Sequence, residues 1–332
     1  MDVLQDLAKG FVKNWPWSAL VALGALTASR FAITFISVFL QTFILPGTSL
    51  KTFGAKKDAW AVVTGASDGI GKEFALQLAG SGFNVLLVAR TTSLLNAASE
   101  EIKAKYPGIR TAVHTIDFST ADERAYEALT AEVDALDIGV LVNNVGKSHA
   151  YPAYLVDTPV AEMEDIVKIN VGATLRVTYA ILPGMIRRNR GLVLNIGSFA
   201  GAIPSPMLAT YSGTKAFLAT FTSALAEEVR AHNIVVEHIN TYFVVSKLSK
   251  IRRASALVPQ PKAYVRAVLG KIGLACGAAN GGRPGTSTPF WSHSLMEYVL
   301  NALGLPGLYI WYTHQLHKDI RRRALKKAAK TQ

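Results

Sequence analysis

A chain of 332 residues that is 50% hydrophobic and only 17% charged is too apolar to be disordered, and its length suits one large domain with an appendage. A single cysteine, Cys276, excludes internal disulfides and Cys-rich zinc modules and fits a reducing compartment. The net charge of +12 is unevenly placed: positions 241 onward hold 15 Lys/Arg against 2 Asp/Glu, so all of the excess sits in the last quarter. A basic face there suits phospholipid or a phosphate-bearing substrate, and without zinc-finger spacing or an RNP-type aromatic motif neither nucleic acid nor a metal is an expected partner.

After an N-terminal flank (1–14), positions 15–45 read WPWSALVALGALTASRFAITFISVFLQTFIL, in which Arg30 is the one charge. About 20 apolar residues cross a bilayer core, so the stretch is a membrane anchor, either one tilted helix or two half-length segments in a re-entrant hairpin. Arg30 near the middle costs about 3 kcal/mol at a bilayer centre, so it snorkels or the span shifts toward Phe31–Leu45. A cleaved signal peptide has a shorter apolar core behind a basic start, whereas this chain begins MDVLQD. Lys51, Lys56 and Lys57 follow the span and only Lys9 and Lys13 precede it, a bias that places the following domain in the cytosol.

Beyond a linker (46–57), strands and helices alternate through residues 58–246. Strands are expected at 59–64, 84–90, 111–116, 137–142, 191–197 and 234–239. Helices are expected at 70–82 and 93–106, from Ala121, from Val160 to Arg188, and from Thr210 to Ala231. Repeated βα units of this kind predict an α/β fold, a Rossmann-type doubly wound parallel sheet.

The first strand runs into TGASDGIG, residues 64–71. Gly65, Gly69 and Gly71 permit a tight turn and close approach of a pyrophosphate to a helix N-terminus, with Ser67 and Ile70 in the same loop. Where NAD enzymes carry an acid at the end of the second strand this chain has Arg90, which suits a 2′-phosphate and hence NADPH. Asp68 works mildly against an extra phosphate.

Tyr211 and Lys215, in YSGTK, are four residues apart and so share one face of a helix. A phenol ordinarily titrates near pH 10, too high for acid–base work near neutrality, and a neighbouring ammonium lowers it. Ser198 follows the strand GLVLNI, Asn170 lies inside the long helix in KINVG, and NNVG (143–146) ends another strand.

In these motifs the sequence resembles the short-chain dehydrogenase/reductase family. TGASDGIG matches its TGxxxGxG, NNVG its NNAG, and Asn170, Ser198, Tyr211 and Lys215 its catalytic tetrad spacing, over about residues 58–246. The resemblance implies that Tyr211 protonates a ketone while a nicotinamide delivers hydride, that Ser198 orients the carbonyl, that Lys215 holds the ribose and favours tyrosinate, and that Asn170 positions a relay water. It also implies Asp117 near the adenine, Asn144 and Gly146 along the cofactor, Val244 and Ser246 at the carboxamide, and a homodimer paired through two long helices. Two departures stand out: Thr241-Tyr242 replaces the family's Pro-Gly after the sixth strand, and Val145 replaces the alanine of NNAG.

Together the anchor, TYFVVSKLSKIRR (241–253) and the basic tail resemble, within that family, the membrane-bound fungal subfamily acting on very-long-chain 3-oxoacyl-CoA, related to the 17-beta-hydroxysteroid dehydrogenases. That resemblance implies NADPH-dependent reduction of long- and very-long-chain 3-oxoacyl-CoA to 3-hydroxyacyl-CoA at the endoplasmic reticulum membrane, with membrane lipid and other fatty-acid elongation enzymes as partners; the alternatives are a steroid or retinoid keto-reductase, which the same tetrad would serve, and a non-catalytic NADP-binding membrane scaffold. Positions 247–292 are expected to form a substrate lid, whose Lys247, Lys250, Arg252, Arg253, Lys262 and Arg266 suit the phosphates of coenzyme A. Residues 293–332 read as an amphipathic, basic, membrane-associated region, whose stretch 294–316 lies in the interface, dips in as a re-entrant segment or packs on the domain as a core helix, the Pro306-Gly307 break and Glu297 arguing against a full span.

Overall fold

Continuously buried, apolar strands dictate the centre of the molecule. In the computed structural model, which describes position 5 and residues 15–330, strands β1 (Trp60–Thr64), β2 (Asn84–Ala89), β3 (Thr111–Thr115), β4 (Ile138–Asn143), β5 (Gly191–Ile196), β6 (Ile234–Ile239) and β7 (Thr286–Ser287) form one sheet. The expected flank 1–14, with Lys9 and Lys13, lies outside the described residues apart from position 5, as do the last two positions of the C-terminal region. All pairs are parallel, in the order β3-β2-β1-β4-β5-β6-β7. Strands buried on both faces are near-continuously apolar, and alternate residues supply the two cores. Ala61, Val63, Val85 and Leu87 enter one core, whereas Val62, Leu86, Val88 and Leu141 enter the other.

The crossover helices are α2 (Gly69–Gly80), α3 (Thr92–Lys105), α4 (Glu123–Asp134), the pair α5 (Val160–Val167) and α6 (Ala173–Arg187), and α8 (Ala209–Glu228), preceded by the short α7 (Phe199–Ala202). Sequence periodicity predicts one helix from Val160 to Arg188; the structure inserts a π turn at Lys168–Gly172. One extra residue in that turn rotates Asn170 inward, where it is fully buried. The two-residue β7 escapes a periodicity reading because it is too short to show a pattern.

The apolar N-terminal stretch is one continuous helix, α1 (Trp15–Phe39), extended by a π turn to Ile44, and not a hairpin. It is long and apolar enough to cross a membrane, and its most apolar window is not buried at all. Only its domain end is docked: Val38 is fully buried, Thr42 Oγ1 and Ser294 Oγ are 2.6 Å apart, and Gln41 Oε1 accepts a 2.9 Å bond from the Cys276 amide. The stretch 46–57 lies against the domain: Gly47 and Thr48 amides donate to the Gly270 and Ile272 carbonyls, and Phe53 is fully buried in the core.

Within 247–292, helix α9 (Pro261–Leu269) packs on α2 and buries Tyr264, Val265 and Val268, so part of the expected lid is core. The chain ends in α10 (Trp291–Leu303) and α11 (Pro306–Ala328), separated by Gly304 in the left-handed region at φ 62°. Glu297 is turned into the domain, where it accepts hydrogen bonds from Asn240 Nδ2 (2.9 Å) and Thr288 Oγ1.

Candidate active site

Strand order reverses between β1 and β4, whose outward connections lead to opposite sides of the sheet; ligands of open α/β folds bind in the crevice this leaves at the carboxyl ends. The glycine turn leaves β1 on one side of that crevice and NNVG leaves β4 on the other. Gly65 has φ +69°, and a Cβ there would stand 2.8 Å from Asn144 Nδ2; a Cβ on Gly71 would meet the Gly65 carbonyl oxygen at 2.2 Å. No larger residue fits either place. Gly69, at φ +56°, has only Ser246 Cβ nearby, 3.8 Å away, so the helix N-terminus stays accessible to an anion. The turn therefore has the bare backbone that a cofactor pyrophosphate requires. Ile70 packs against the core and Ser67 is half-buried.

Asp68 caps α2, its Oδ1 accepting from the Gly69 amide at 2.7 Å, and its Oδ2 pairs with Lys247 at 2.7 Å. The Lys247 bond and the Gly69 amide hold its pKa low, against desolvation. The acid that counts against a phosphate in the sequence is thus matched by a cation from the loop after β6. Arg90 is exposed at the end of β2 and makes no hydrogen bond or ion pair among the described residues. Nearby Asp117 accepts from Ser119 Oγ (2.7 Å) and the Ser119 amide (2.9 Å); these bonds, with lesser help from Arg90 and Lys147, keep it ionised. Val244 is buried, and its carbonyl accepts from Ser249 Oγ (2.6 Å), whose amide in turn donates to Ser246 Oγ (3.1 Å).

Four residues distant in sequence converge beside the glycine turn. Tyr211 and Lys215 sit one turn apart on α8, Ser198 heads α7 with its Oγ accepting from the Ala200 amide at 3.2 Å, and the Asn170 side chain faces them from the π turn. Asn170 Oδ1 accepts from the Lys147 amide (2.7 Å), while its Nδ2 donates to the Lys147 carbonyl (2.9 Å) and to Thr214 Oγ1 (3.0 Å). One carboxamide therefore ties the loop after β4, the long helix and the tyrosine helix together. Gly146 lies between them: a Cβ there would be 3.4 Å from Asn170 Oδ1 and 3.7 Å from Lys215 Nζ.

Lys215 is 4% exposed, and its Nζ donates to the Ile196 carbonyl at 2.8 Å. Burial lowers its pKa to about 8. Burial also pushes the Tyr211 phenol up, the Ser198 hydroxyl opposing this by hydrogen bonding. Sequence spacing predicts the reverse direction, an ammonium pulling the phenol down. With Lys215 Nζ held on Ile196 and 5.8 Å from the centre of the tyrosine ring, desolvation wins. The result is a protonated phenol, the form that donates.

Several residues under and around the site escape the sequence reading. Thr64 Oγ1 accepts from the Asn144 and Val145 amides at 3.0 and 3.1 Å, pinning NNVG to the end of β1. Beneath it Asn143 Nδ2 donates to Thr178 Oγ1 and Asn195 Oδ1, and Asn195 Nδ2 to Thr222 Oγ1. Polar residues near the ends of apolar strands were the available signal. Tyr242, in place of the family's glycine, stacks on Phe199 with ring centres 4.1 Å apart, and Thr241 Oγ1 is 2.7 Å from the Tyr264 hydroxyl.

Comparison with known proteins follows the same lines. Residues 59–256 match the family described as short chain dehydrogenase. The chain is 64% identical over 331 residues to the very-long-chain 3-oxoacyl-CoA reductase of Laccaria bicolor, covering 98% of each. Among solved structures, a 7beta-hydroxysteroid dehydrogenase superposes with a TM-score of 0.67 at 25% identity, over 77% of this chain and 96% of that one. A metagenomic short-chain oxidoreductase in complex with NADP gives 0.52 at 33% identity, over 57% and 83%.

Proposed function

The chain belongs to the short-chain dehydrogenase family, and from that footing we propose that it is an NADPH-dependent reductase of long- and very-long-chain 3-oxoacyl-CoA, yielding 3-hydroxyacyl-CoA. The observation that carries the chemistry is the convergence of Tyr211, Ser198, Lys215 and Asn170 beside a glycine turn that has no room for side chains at Gly65 and Gly71. The substrate rests on the likeness to the Laccaria bicolor reductase across almost the whole chain.

The residues fit a dinucleotide: the α2 N-terminus and Gly69 would hold the pyrophosphate, Arg90 the 2′-phosphate and Asp117 the adenine side, and Asn144, Gly146, Val244 and Ser246 would flank the nicotinamide end. When bound, the cofactor supplies the hydride. Tyr211 would give its phenolic proton to the carbonyl oxygen of the ketone. Ser198 hydrogen-bonds that oxygen and keeps it in line with the phenol. Lys215, its Nζ held on the Ile196 carbonyl beside Gly146, would hold the cofactor ribose; Asn170 fixes the loop and helix that form the relay to solvent.

Helix α1 anchors the enzyme in the endoplasmic reticulum membrane with the catalytic domain in the cytosol, beside other fatty-acid elongation enzymes. Arg252, Arg253, Lys262 and Arg266, exposed and without side-chain partners among the described residues, suit coenzyme A phosphates. The test is product analysis of the full chain in lipid nanodiscs with NADPH and a graded series of 3-oxoacyl-CoA lengths, a ketosteroid being the competing substrate. The reading requires 3-hydroxyacyl-CoA with rates favouring long chains; NADPH loss with the ketosteroid alone would overturn it.

A further inference from the structure

Helix α10 runs along the domain end of α1, and α11 follows it after a turn at Gly304. Near its start α10 meets the domain end of α1, at Ser294 and Thr42, and it then climbs toward the middle of α1, where the Tyr298 ring lies 5.6 Å from Phe31 and 5.8 Å from Phe35. After Gly304, α11 returns to the catalytic domain. Its Tyr309 ring stands edge-on to Phe199, the neighbour of Ser198, at 4.9 Å; His314 packs on Tyr154 at 6.1 Å, and His317 Nδ1 lies 2.6 Å from the Pro206 carbonyl oxygen. Helix α10 thus runs beside the Phe31–Thr42 part of α1 before the chain turns at Gly304.

The apex at this turn is apolar and uncovered. Leu303 is 61% exposed, Leu305 54%, Leu308 61%, Trp311 60% and Tyr312 58%. The order along α11 is aliphatic apex, then Trp311 and Tyr312, then a basic stretch from Lys318 to Lys327 beginning about 10 Å further on. Aliphatic, aromatic and cationic zones in that sequence match hydrocarbon, interface and phosphate layers of a bilayer.

We propose that the α10–α11 apex is a second, non-spanning insertion into the bilayer, its Leu303, Leu305 and Leu308 in contact with lipid acyl chains. The inference rests on the reading of α1 as a membrane anchor and extends it: the hydrocarbon phase reaches the residues that adjoin Tyr309 and Phe199, so a long acyl tail meets lipid immediately outside the catalytic centre. The occupant is lipid because α1, which α10 follows, is itself uncovered apolar surface, and because the cations of α11 complement anionic headgroups.

The test uses the full chain in nanodiscs, in a Cys276→Ala background, with an environment-sensitive fluorophore on Leu308→Cys, on Leu23→Cys in α1, or on Glu228→Cys at the far end of α8. Lipid-borne nitroxide should quench positions 308 and 23 several-fold more than 228, and aqueous iodide should do the reverse. Iodide quenching at 308 equal to that at 228 overturns the inference. So does protection of 308 from both quenchers, which would mean that a second copy or another protein covers the apex. Quenching by lipid at 23 and not at 308 overturns this inference alone; no lipid quenching at either overturns the anchor as well. Turnover plays no part in the readout, so the reductase assignment stands or falls separately.

Discussion

Lys247 Nζ lies 2.7 Å from Asp68 Oδ2, joining the loop after β6 to the glycine turn after β1. Both side chains are well exposed, 84% and 49%, so the pair itself contributes about 1 kcal/mol at most. The cap that Asp68 provides to the Gly69 amide is worth about 1 kcal/mol independently. Thermal unfolding should therefore drop by a few degrees in Asp68→Ala and hardly at all in Lys247→Ala. A drop confined to Lys247→Ala would contradict the capping role.

Gly71→Ala puts a methyl 2.2 Å from the Gly65 carbonyl oxygen, a backbone atom that yields only if the turn moves. Overpacking of this kind costs about 1–3 kcal/mol, and the turn it displaces is the one assigned to the pyrophosphate. The dissociation constant of NADPH, followed by its fluorescence, should rise at least ten-fold.

Arg90 is exposed and makes no hydrogen bond or ion pair among the described residues, its charge acting only at longer range on Asp117, so it is available for a 2′-phosphate. Removing a charge-assisted bond costs about 2 kcal/mol, so kcat/KM with NADPH should fall about thirty-fold in Arg90→Ala while kcat/KM with NADH barely changes. Equal losses with both cofactors would place the guanidinium elsewhere.

Tyr211→Phe keeps the ring and removes the proton. Loss of a general acid costs roughly 10²- to 10⁴-fold in turnover, and NADPH should bind the variant as it binds the parent. Parental turnover in Tyr211→Phe would exclude the phenol as donor.

Lys215 titrates at about 8, below its usual range because burial disfavours the charged amine. It carries its charge below that pH and loses it above. The phenol, pushed up by burial, stays protonated through the same window. The kcat/KM for ketone reduction should thus decline as pH rises through about 8, and Lys215→Met should be slow at every pH with that inflection gone. A parental profile flat from pH 7 to 9 would show that the amine charge is not needed.

The βα alternation placed six strands within a residue or two because each is an apolar run closed by turn residues, as in WAVVT before GASDG. Tyr211 and Lys215 were legible for a similar reason, since four positions on a helix define a shared face wherever that helix lies. Asn170 was legible as a residue but not as a position. The π turn that buries it, and its bonds to Lys147 and Thr214, depend on a loop 23 residues earlier in the chain and a helix 44 residues later. Glu297 counted in the sequence as a charge opposed to membrane; the fold hides it against Asn240 and Thr288.

Local chain chemistry by itself determined the parallel sheet, the glycine turn, the tyrosine–lysine face and the apolar N-terminal helix, since each is set by the period and bulk of neighbouring residues. Tertiary structure alone decided that α1 is one helix with α10 along its domain end, that α11 returns to Phe199, and that burial shifts the Tyr211 phenol up where spacing to Lys215 predicts down. Those outcomes turn on which surfaces lose water when distant segments meet, and desolvation is a property of the assembled interior that no window of sequence contains.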